Sequence, residues 1–133
     1  MRIVVDCNVV IAAARTDGVC RSVLLQVVRE HEVILSPPIL QEYRSVGARP
    51  KHRPYHRTML AITDLLARAA LLVHPVSESS FGLSDPDDEI YLATALAGRA
   101  EVLITGNIRH FPKSRYGLIA ILRPADFLAR HGR

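Results

Sequence analysis

The sequence predicts an α/β fold in which helices cover both faces of a central parallel β-sheet. Short apolar runs rich in β-branched residues alternate with segments of helical apolar spacing along the whole chain. Strands that are buried on both faces of a parallel sheet have this continuous apolar character. The length of 133 residues and the hydrophobic fraction of 49% suit one domain with its own core. We therefore expect a single domain that spans residues 1–133.

The first half of the chain predicts two strands and three helices. The strands are Arg2–Val5 and Val33–Leu35, and the helices are Val9–Ala14, a segment with apolar spacing from Val19 to Val28, and a segment that begins at Pro37. Ser36 is placed to cap the third helix, and Pro37 occupies a first helical position, where its missing N–H costs nothing. Asp6 directly follows the first strand.

The second half continues the same alternation. Helices are predicted at Thr58–Ala70, at Pro124–His131, and between them from the acidic turn Ser84–Glu89 to the stop signal Gly98. Strands are predicted at Leu71–Val73, Val102–Thr105 and Leu118–Leu122. Ser77–Leu83 is predicted to be a loop. In sheets of this type, ligands bind beyond the carboxyl ends of the strands, so a site is expected at that edge.

The composition argues against several classes of protein. Cys7 and Cys20 form no CxxC or Cys/His pattern, so the sequence predicts neither a zinc site nor a disulfide framework and suits a reducing cytosol. No apolar run approaches the roughly 20 residues of a membrane span, and no N-terminal signal segment is recognisable. We expect a soluble, unprocessed cytoplasmic protein without a membrane partner.

The basic residues are unevenly distributed. The net charge is +4, which favours polyanionic partners only slightly. One segment, however, concentrates positive charge, with His52, Tyr55 and His56 interleaved among Arg44, Arg49, Lys51, Arg53 and Arg57. This basic segment could bind phosphates. A solvated surface loop that runs into a helix would look the same, and the sequence leaves both interpretations open.

Three carboxylates are predicted to lie near one edge of the sheet. Asp6 ends the first strand, Glu42 lies early in the helix after the second strand, and Asp88 lies in the first turn of the helix before the fourth strand. Carboxylates that converge repel one another unless protons or a divalent cation offset the charge. Mg²⁺ or Mn²⁺ bound in this way keeps positions for water and a substrate phosphate, which suits phosphodiester hydrolysis.

Each of these acids also has a structural interpretation. Asp87 and Asp88 could complement a helix dipole, Asp85 could cap the helix, and Glu42 could be an exposed helix residue. Asp6 is harder to explain in this way. A carboxylate that follows a buried strand must be paired, capped or ligating, because burying it alone is costly.

Four segments in order resemble the motifs of PIN domains. They are Asp6–Val10, Ser36 through Glu42 and Tyr43, Asp85–Asp88 with Ala93–Ala95, and Ile104–Asn107. No single motif is specific, but their order and β/α spacing cover nearly the whole chain. The likeness is strongest to the bacterial and archaeal PIN proteins classed as toxins of toxin–antitoxin systems, the VapC-like ribonucleases.

This resemblance implies a fold, an activity and partners. The fold would be a three-layer α/β/α sandwich around a parallel sheet. The activity would be Mg²⁺- or Mn²⁺-dependent cleavage of RNA, with Asp6, Glu42 and Asp88 matching the acidic residues of the family. Asp88 is chosen by its spacing to Ala93–Ala95, and Asp85 is the second choice. A homodimer and a cognate antitoxin protein are also implied.

Other positions would support the site. By the resemblance, Asn8 steadies the first motif, and Thr105 and Asn107 match a Thr-x-Asp pattern of many relatives. Asn107 departs from that pattern, because an amide adds no negative charge. A second cation would then be held weakly or not at all, so one-metal chemistry or reduced activity is expected. Arg109 would join the basic segment in holding phosphates that flank the cleavage position.

Two other functions remain open. The first is an aspartyl-nucleophile phosphatase or phosphotransferase, because Asp6 also fits the position of such a nucleophile. Asn8, however, stands where a second acid would be expected. The second is an RNA- or partner-binding module whose acidic cluster has lost activity, a possibility that Asn107 supports.

Overall fold

The computed structural model describes residues 1–76 and 80–132. Within these residues, one sheet contains the strands β1 (Arg2–Val5), β2 (Glu32–Leu35), β3 (Leu71–Leu72), β4 (Val102–Ile104), β5 (Arg115–Tyr116) and β6 (Ile119–Leu122). The order of the strands across the sheet is β3-β2-β1-β4-β6-β5. The helices are α1 (Cys7–Arg15), α2 (Val19–Glu30), α3 (Pro37–Gly47), α4 (His56–Ala69), α5 (Pro86–Ala97) and α6 (Pro124–His131), with short 3-10 helices at Pro50–Tyr55 and Ile108–His110.

The central strands are parallel, as the sequence predicts. Strand β1 pairs with β2 on one side and β4 on the other, and β4 pairs with β6, all in parallel. The exception is the edge strand β5, which pairs antiparallel with β6 and was not predicted. Gly117 between them has a φ of 61°, a conformation that glycine adopts without steric strain. The sheet is therefore mostly parallel, with one short hairpin at its edge.

Helices cover both faces of this sheet. The connections from β1 to β2 and from β2 to β3 run one way across the sheet, and the connection from β3 to β4 returns. Since such crossovers are right-handed, α1 to α4 belong to one face and α5 to the other. In agreement, α1 packs against α2, α3 and α4, whereas α5 packs across β1, β2, β4 and β6. This arrangement confirms the predicted α/β/α sandwich.

The central strands are apolar because both of their faces are covered. Ile3, Val4, Ile34, Leu103 and Ile104 are fully buried. Consequently the first polar residue after each strand emerges at the carboxyl edge of the sheet. These residues are Asp6 after β1, Ser36 after β2 and Thr105 after β4, and all three are themselves buried.

Several element bounds differ from the predictions. Helix α1 begins at Cys7, two residues before the predicted start, because Asp6 already occupies the N-cap position. The segment Pro50–Tyr55 forms a 3-10 helix instead of a loop. Ser36 lies at the N-cap of α3, but its hydroxyl forms no capping bond and instead contacts the hydroxyl of Thr94 at 2.8 Å.

The predicted loop at Ser77–Leu83 is described only in part. Residues 77–79 lie outside the described residues, whereas residues 80–83 are neither helix nor strand, as predicted. The backbone N–H groups of Phe81 and Leu83 donate to the two carboxylate oxygens of Glu89 at 2.8 and 2.9 Å. Glu89 therefore fixes residues 81–83 against the first turns of α5.

No helix in residues 1–76 and 80–132 combines the length and apolar character needed to cross a bilayer.

Candidate active site

The three predicted acids line one cleft at the carboxyl edge of the sheet. The cleft has a volume of about 500 Å³, and its wall includes Asp6, Glu42 and Asp88. A larger cavity of about 790 Å³ lies between α5 and the β5–β6 hairpin, but it contains none of the predicted site residues. The chemistry predicted from the sequence therefore belongs to the smaller cleft.

Asp6 is held between β1 and α1 by short polar contacts. It is 6% exposed, and its Oδ2 accepts a hydrogen bond from the Thr105 hydroxyl at 2.8 Å. The amide of Asn8 lies 3.4 Å from the same oxygen. Burial raises the pKa of Asp6 above its usual value, although the hydrogen bond from Thr105 opposes this shift. The carboxyl group is therefore oriented, but its negative charge is poorly compensated.

Glu42 reaches the cleft from the middle of α3 and is positioned by Tyr91 of α5. The Tyr91 hydroxyl donates to Oε1 of Glu42 at 2.8 Å and accepts from the backbone N–H of Cys7 at 3.2 Å. Burial raises the pKa of Glu42, Tyr91 lowers it, and the nearby carboxylate of Asp6 raises it. Tyr91 thus links the helix that carries Glu42 to the backbone beside Asp6.

Asp88 lies in the first turn of α5 and contacts a histidine. Nδ1 of His110 is 2.9 Å from Oδ2 of Asp88. Burial raises the pKa of Asp88 to about 6, the charge of His110 lowers it, and Asp6 and Asp85 raise it. Asp88 is therefore close enough to Asp6 for the charge of one carboxylate to raise the pKa of the other.

Asp85, the second choice for the acidic turn, lies outside the cleft wall. It is the exposed N-cap of α5, and its Oδ1 accepts from the backbone N–H of Asp87 at 2.9 Å. This bond satisfies one of the N–H groups left free at a helix start. The structure therefore gives Asp85 the capping role that the sequence left open.

The remaining supporting residues connect the strands at this edge. Oδ1 of Asn8 accepts from the Gly106 N–H at 3.0 Å, and the Thr105 hydroxyl accepts from the Asn107 N–H at 3.0 Å. The Asn107 side-chain nitrogen lies 3.0 Å from Nε2 of His110. A chain of polar contacts thus runs from Asp6 through Thr105 and Asn107 to His110 and Asp88.

The predicted RNA-binding residues are not gathered in one place. Lys51 lines the cleft, and Arg49 lies close enough to affect the electrostatics of Cys7 and His52. The remaining residues of this group, which are Arg44, Arg53, Arg57 and Arg109, are exposed and are absent from the cleft wall. The basic segment is therefore partly a cleft wall and partly a solvated surface.

The carboxylates of the cleft have the oxygen ligands that suit a hard divalent cation, but they are not close enough together to form a ready site. Carboxylate oxygens are the ligands that Mg²⁺ prefers, and burial raises the pKa of all three acids of the cleft. In the part of the chain that the structure describes, however, no three His, Cys, Asp or Glu side chains converge as a ready metal-binding cluster. Binding one cation through all three acids would require them to draw together.

Three side chains in this region were missed by reasoning from the sequence alone. Tyr91 follows Asp88 by three residues on α5, and His110 follows Asn107 by three residues. Arg15 follows Asn8 by seven residues on α1 and also lines the cleft. Such spacings place residues on one side of a helix, so they could have suggested these neighbours.

Comparisons with known proteins agree with this architecture. The sequence model of the PIN domain family matches residues 2–109. A search of curated proteins found no match. The fold is similar to that of VapBC2 from Rickettsia felis, in a crystal structure bound to a DNA fragment from their promoter. The TM-score is 0.63 at 15% identity, over 92% of this chain and 98% of the other.

A second solved structure, of VapBC-1 from nontypeable Haemophilus influenzae, gives a similar result. Its TM-score is 0.60 at 17% identity, over 94% of this chain and 99% of the other. At these identities the structural likeness establishes a shared fold. The family assignment comes from the sequence model, which spans most of the chain and includes Asp6, Glu42, Asp88 and Thr105. This chain belongs to the PIN domain family.

Proposed function

We propose that this chain is a divalent-metal-dependent ribonuclease and the toxin of a toxin–antitoxin pair. The observation that carries the proposal is that Asp6, Glu42 and Asp88, which are far apart in sequence, line one cleft. Thr105 orients Asp6 and Tyr91 orients Glu42, while Asp88 contacts His110. Acids that serve only as caps or surface charges do not need such support.

The residues of the chain would position and neutralise the reacting groups. When bound by Asp6, Glu42 and Asp88, Mg²⁺ or Mn²⁺ would polarise the scissile phosphate and lower the pKa of a bound water. Thr105 and Tyr91 hold two of these acids in fixed orientations, which reduces the rearrangement that binding requires. Asn107 contributes an amide without charge, which favours one cation over two.

The partner proposals rest on the family and on the structural neighbours. Both of the solved structures compared above are of VapBC proteins. We propose that this chain likewise pairs with an antitoxin protein and forms a homodimer. Co-expression with the protein encoded beside its gene, followed by measurement of complex mass and of cleavage, would test the pairing. A partner that neither binds nor inhibits would contradict it.

The nuclease proposal is tested by cleavage of labelled single-stranded and structured RNAs with and without Mn²⁺ or Mg²⁺. We expect cleavage only with metal, and its loss in Asp6→Asn by more than the roughly 10- to 100-fold typical of a residue that merely orients a ligand. Asp64→Asn makes the same chemical change on the exposed surface of α4 and should cleave normally. Metal-independent cleavage that Asp6→Asn retains would contradict the proposal.

A second candidate is a binding module without catalysis. It is favoured by the lack of a ready metal-binding cluster among the described residues. Thermal unfolding with millimolar Mn²⁺ distinguishes the two, because a cation that binds only the folded state raises the melting temperature. A melting temperature that Mn²⁺ leaves unchanged, in a protein that still binds RNA, would favour the binding module.

A further inference from the structure

The end of the cleft away from the acids is cationic. Arg15 comes from the last turn of α1, and Lys51 and His52 come from the 3-10 helix Pro50–Tyr55, yet all three line the cleft. Arg15 is more than 30 residues from Lys51 and His52 in sequence, so the packing of α1 against α3 and α4 brings it close to them. Arg15 was not among the residues expected to contact nucleic acid.

The positive charge at this end is not neutralised by the protein. Among residues 1–76 and 80–132, the side chains of Arg15, Arg49 and Lys51 form no ion pair and donate no hydrogen bond. Burial lowers the pKa of His52, and the charges of Lys51, Arg49 and Arg15 lower it further. Three unpaired cations around one opening produce a local attraction for anions.

An apolar strip separates the cationic end from the acids. Asn8, Ile11, Ala12 and Arg15 lie on one face of α1, because residues three, four and seven apart in a helix share a face. The rise between Asn8 and Arg15 is about 10 Å, at about 1.5 Å per residue. Val46 of α3 adds a second half-buried apolar side chain to this strip. The two ends therefore contact different parts of any ligand that fills the cleft.

We propose that Arg15 and Lys51 bind the phosphate of a nucleotide next to the scissile one, and that Ile11 and Val46 contact its base. This inference rests on the proposed function and specifies its substrate as single-stranded RNA with at least two phosphates. A duplex does not suit this cleft, because its bases are stacked inside the helix and cannot reach an apolar strip.

The test measures binding of a short fluorescent single-stranded RNA by anisotropy, in EDTA so that no cleavage occurs. Arg15→Gln and Lys51→Gln should each weaken binding about two- to fivefold, as expected for an exposed charge pair. Each should also reduce the slope of log affinity against log salt by about 0.7, the value for one lost phosphate contact on a single strand. Arg29→Gln is the control.

Arg29 is exposed at the end of α2, at the opposite edge of the sheet, and its loss changes the net charge by the same amount. If Arg15→Gln and Arg29→Gln give equal affinities and salt slopes, the subsite is refuted. Circular dichroism should show that all three variants keep the native helix content, so that a loss of binding is not a loss of folding.

A chemical variation of the RNA locates the contact. Replacing one phosphodiester at a time by an uncharged methylphosphonate should identify a position that weakens binding to the native protein but not to Arg15→Gln. Such non-additivity is expected when two groups interact directly. An RNA duplex should bind more weakly and show no dependence on Arg15. Additive effects at every position, or duplex binding that depends equally on Arg15, would overturn the subsite.

The outcomes for the two proposals are separable because binding is measured without metal. If the protein binds RNA through Arg15 but never cleaves it with Mn²⁺, the subsite is supported and the ribonuclease proposal is contradicted. If the protein cleaves RNA with metal but Arg15→Gln leaves the RNA affinity unchanged, the ribonuclease proposal is supported and the subsite is contradicted.

Discussion

Nδ1 of His110 lies 2.9 Å from Oδ2 of Asp88, so one acid of the cleft has a histidine partner within the protein. The opposite ring nitrogen, Nε2, lies 3.0 Å from the side-chain nitrogen of Asn107. An amide N–H donated to Nε2 leaves the ring proton on Nδ1, where it points at Asp88. Asn107 therefore has a structural role here, because it fixes the ring that contacts the acid.

Mn²⁺ binding should depend strongly on pH between 5 and 7.5. Burial raises the pKa of Asp88 to about 6 and also raises the pKa values of Asp6 and Glu42. A carboxyl group must lose its proton to ligate a cation, so affinity rises with pH and falls by up to about tenfold per unit well below the pKa. Calorimetric titrations at pH 5, 6 and 7.5 measure this. Equal affinities at pH 5 and 7.5 would remove Asp88 from the ligands.

Asp6→Asn should raise the melting temperature of the metal-free protein at pH 7.5. Because the pKa of Asp6 is raised in the folded state, its ionised form costs stability at every pH above the folded-state pKa. The cost declines as the pH falls and disappears below the unfolded value of 3.8. An asparagine oxygen can still accept from Thr105. We expect a rise of a few degrees, since about 1 kcal/mol corresponds to roughly 3 to 5 °C in a domain of this size.

Asp64→Asn provides the matched control for this stability measurement. Asp64 is exposed on α4, so the same change should shift the melting temperature little. The difference between the two variants should shrink when the measurement is repeated in acid. A lower melting temperature for Asp6→Asn at pH 7.5 would show that the ionised carboxylate stabilises the fold.

The positions of Asp6 and Thr105 could be predicted because strand ends determine them. A buried apolar run followed by a polar residue indicates both the end of a parallel strand and the edge at which it ends. Asp88 was harder to assign, because three aspartates share one turn and spacing alone does not choose among them. The burial of Asp88, and the capping bond of Asp85, favour Asp88 as the residue of this turn that faces the cleft.

Spacing could suggest that Tyr91, His110 and Arg15 lie near the site, but it could not give their roles, because these depend on contacts between distant elements. The bond from Tyr91 to Glu42 spans 49 residues and needs α3 and α5 to meet at the sheet edge. The edge strand Arg115–Tyr116 was missed for a different reason. A run of two residues is too short to show the alternation of apolar and polar side chains that predicts a strand. These residues are a strand only because they pair with β6.

Tyr91→Phe should weaken both the fold and Mn²⁺ binding. It removes the donor to Glu42 and leaves the buried N–H of Cys7 without its acceptor. An unsatisfied buried N–H costs about 1 to 3 kcal/mol. Tyr43→Phe is the control, because the Tyr43 hydroxyl donates to the carbonyl of Val5 and not to a carboxylate of the cleft. Both variants should unfold at lower temperature, but only Tyr91→Phe should change the Mn²⁺ affinity measured by calorimetry.

His110→Ala should raise Mn²⁺ affinity several-fold at pH 7.5, because it frees Oδ2 of Asp88 for the cation. The gain should be smaller near pH 5.5. The charge of His110 lowers the pKa of Asp88, so removing the ring leaves that carboxyl group more protonated in acid. His74→Ala, which removes an exposed ring after β3, should leave the affinity unchanged at both pH values. If His110→Ala abolishes Mn²⁺ binding instead, the histidine is itself a ligand, and the competition between ring and cation does not exist.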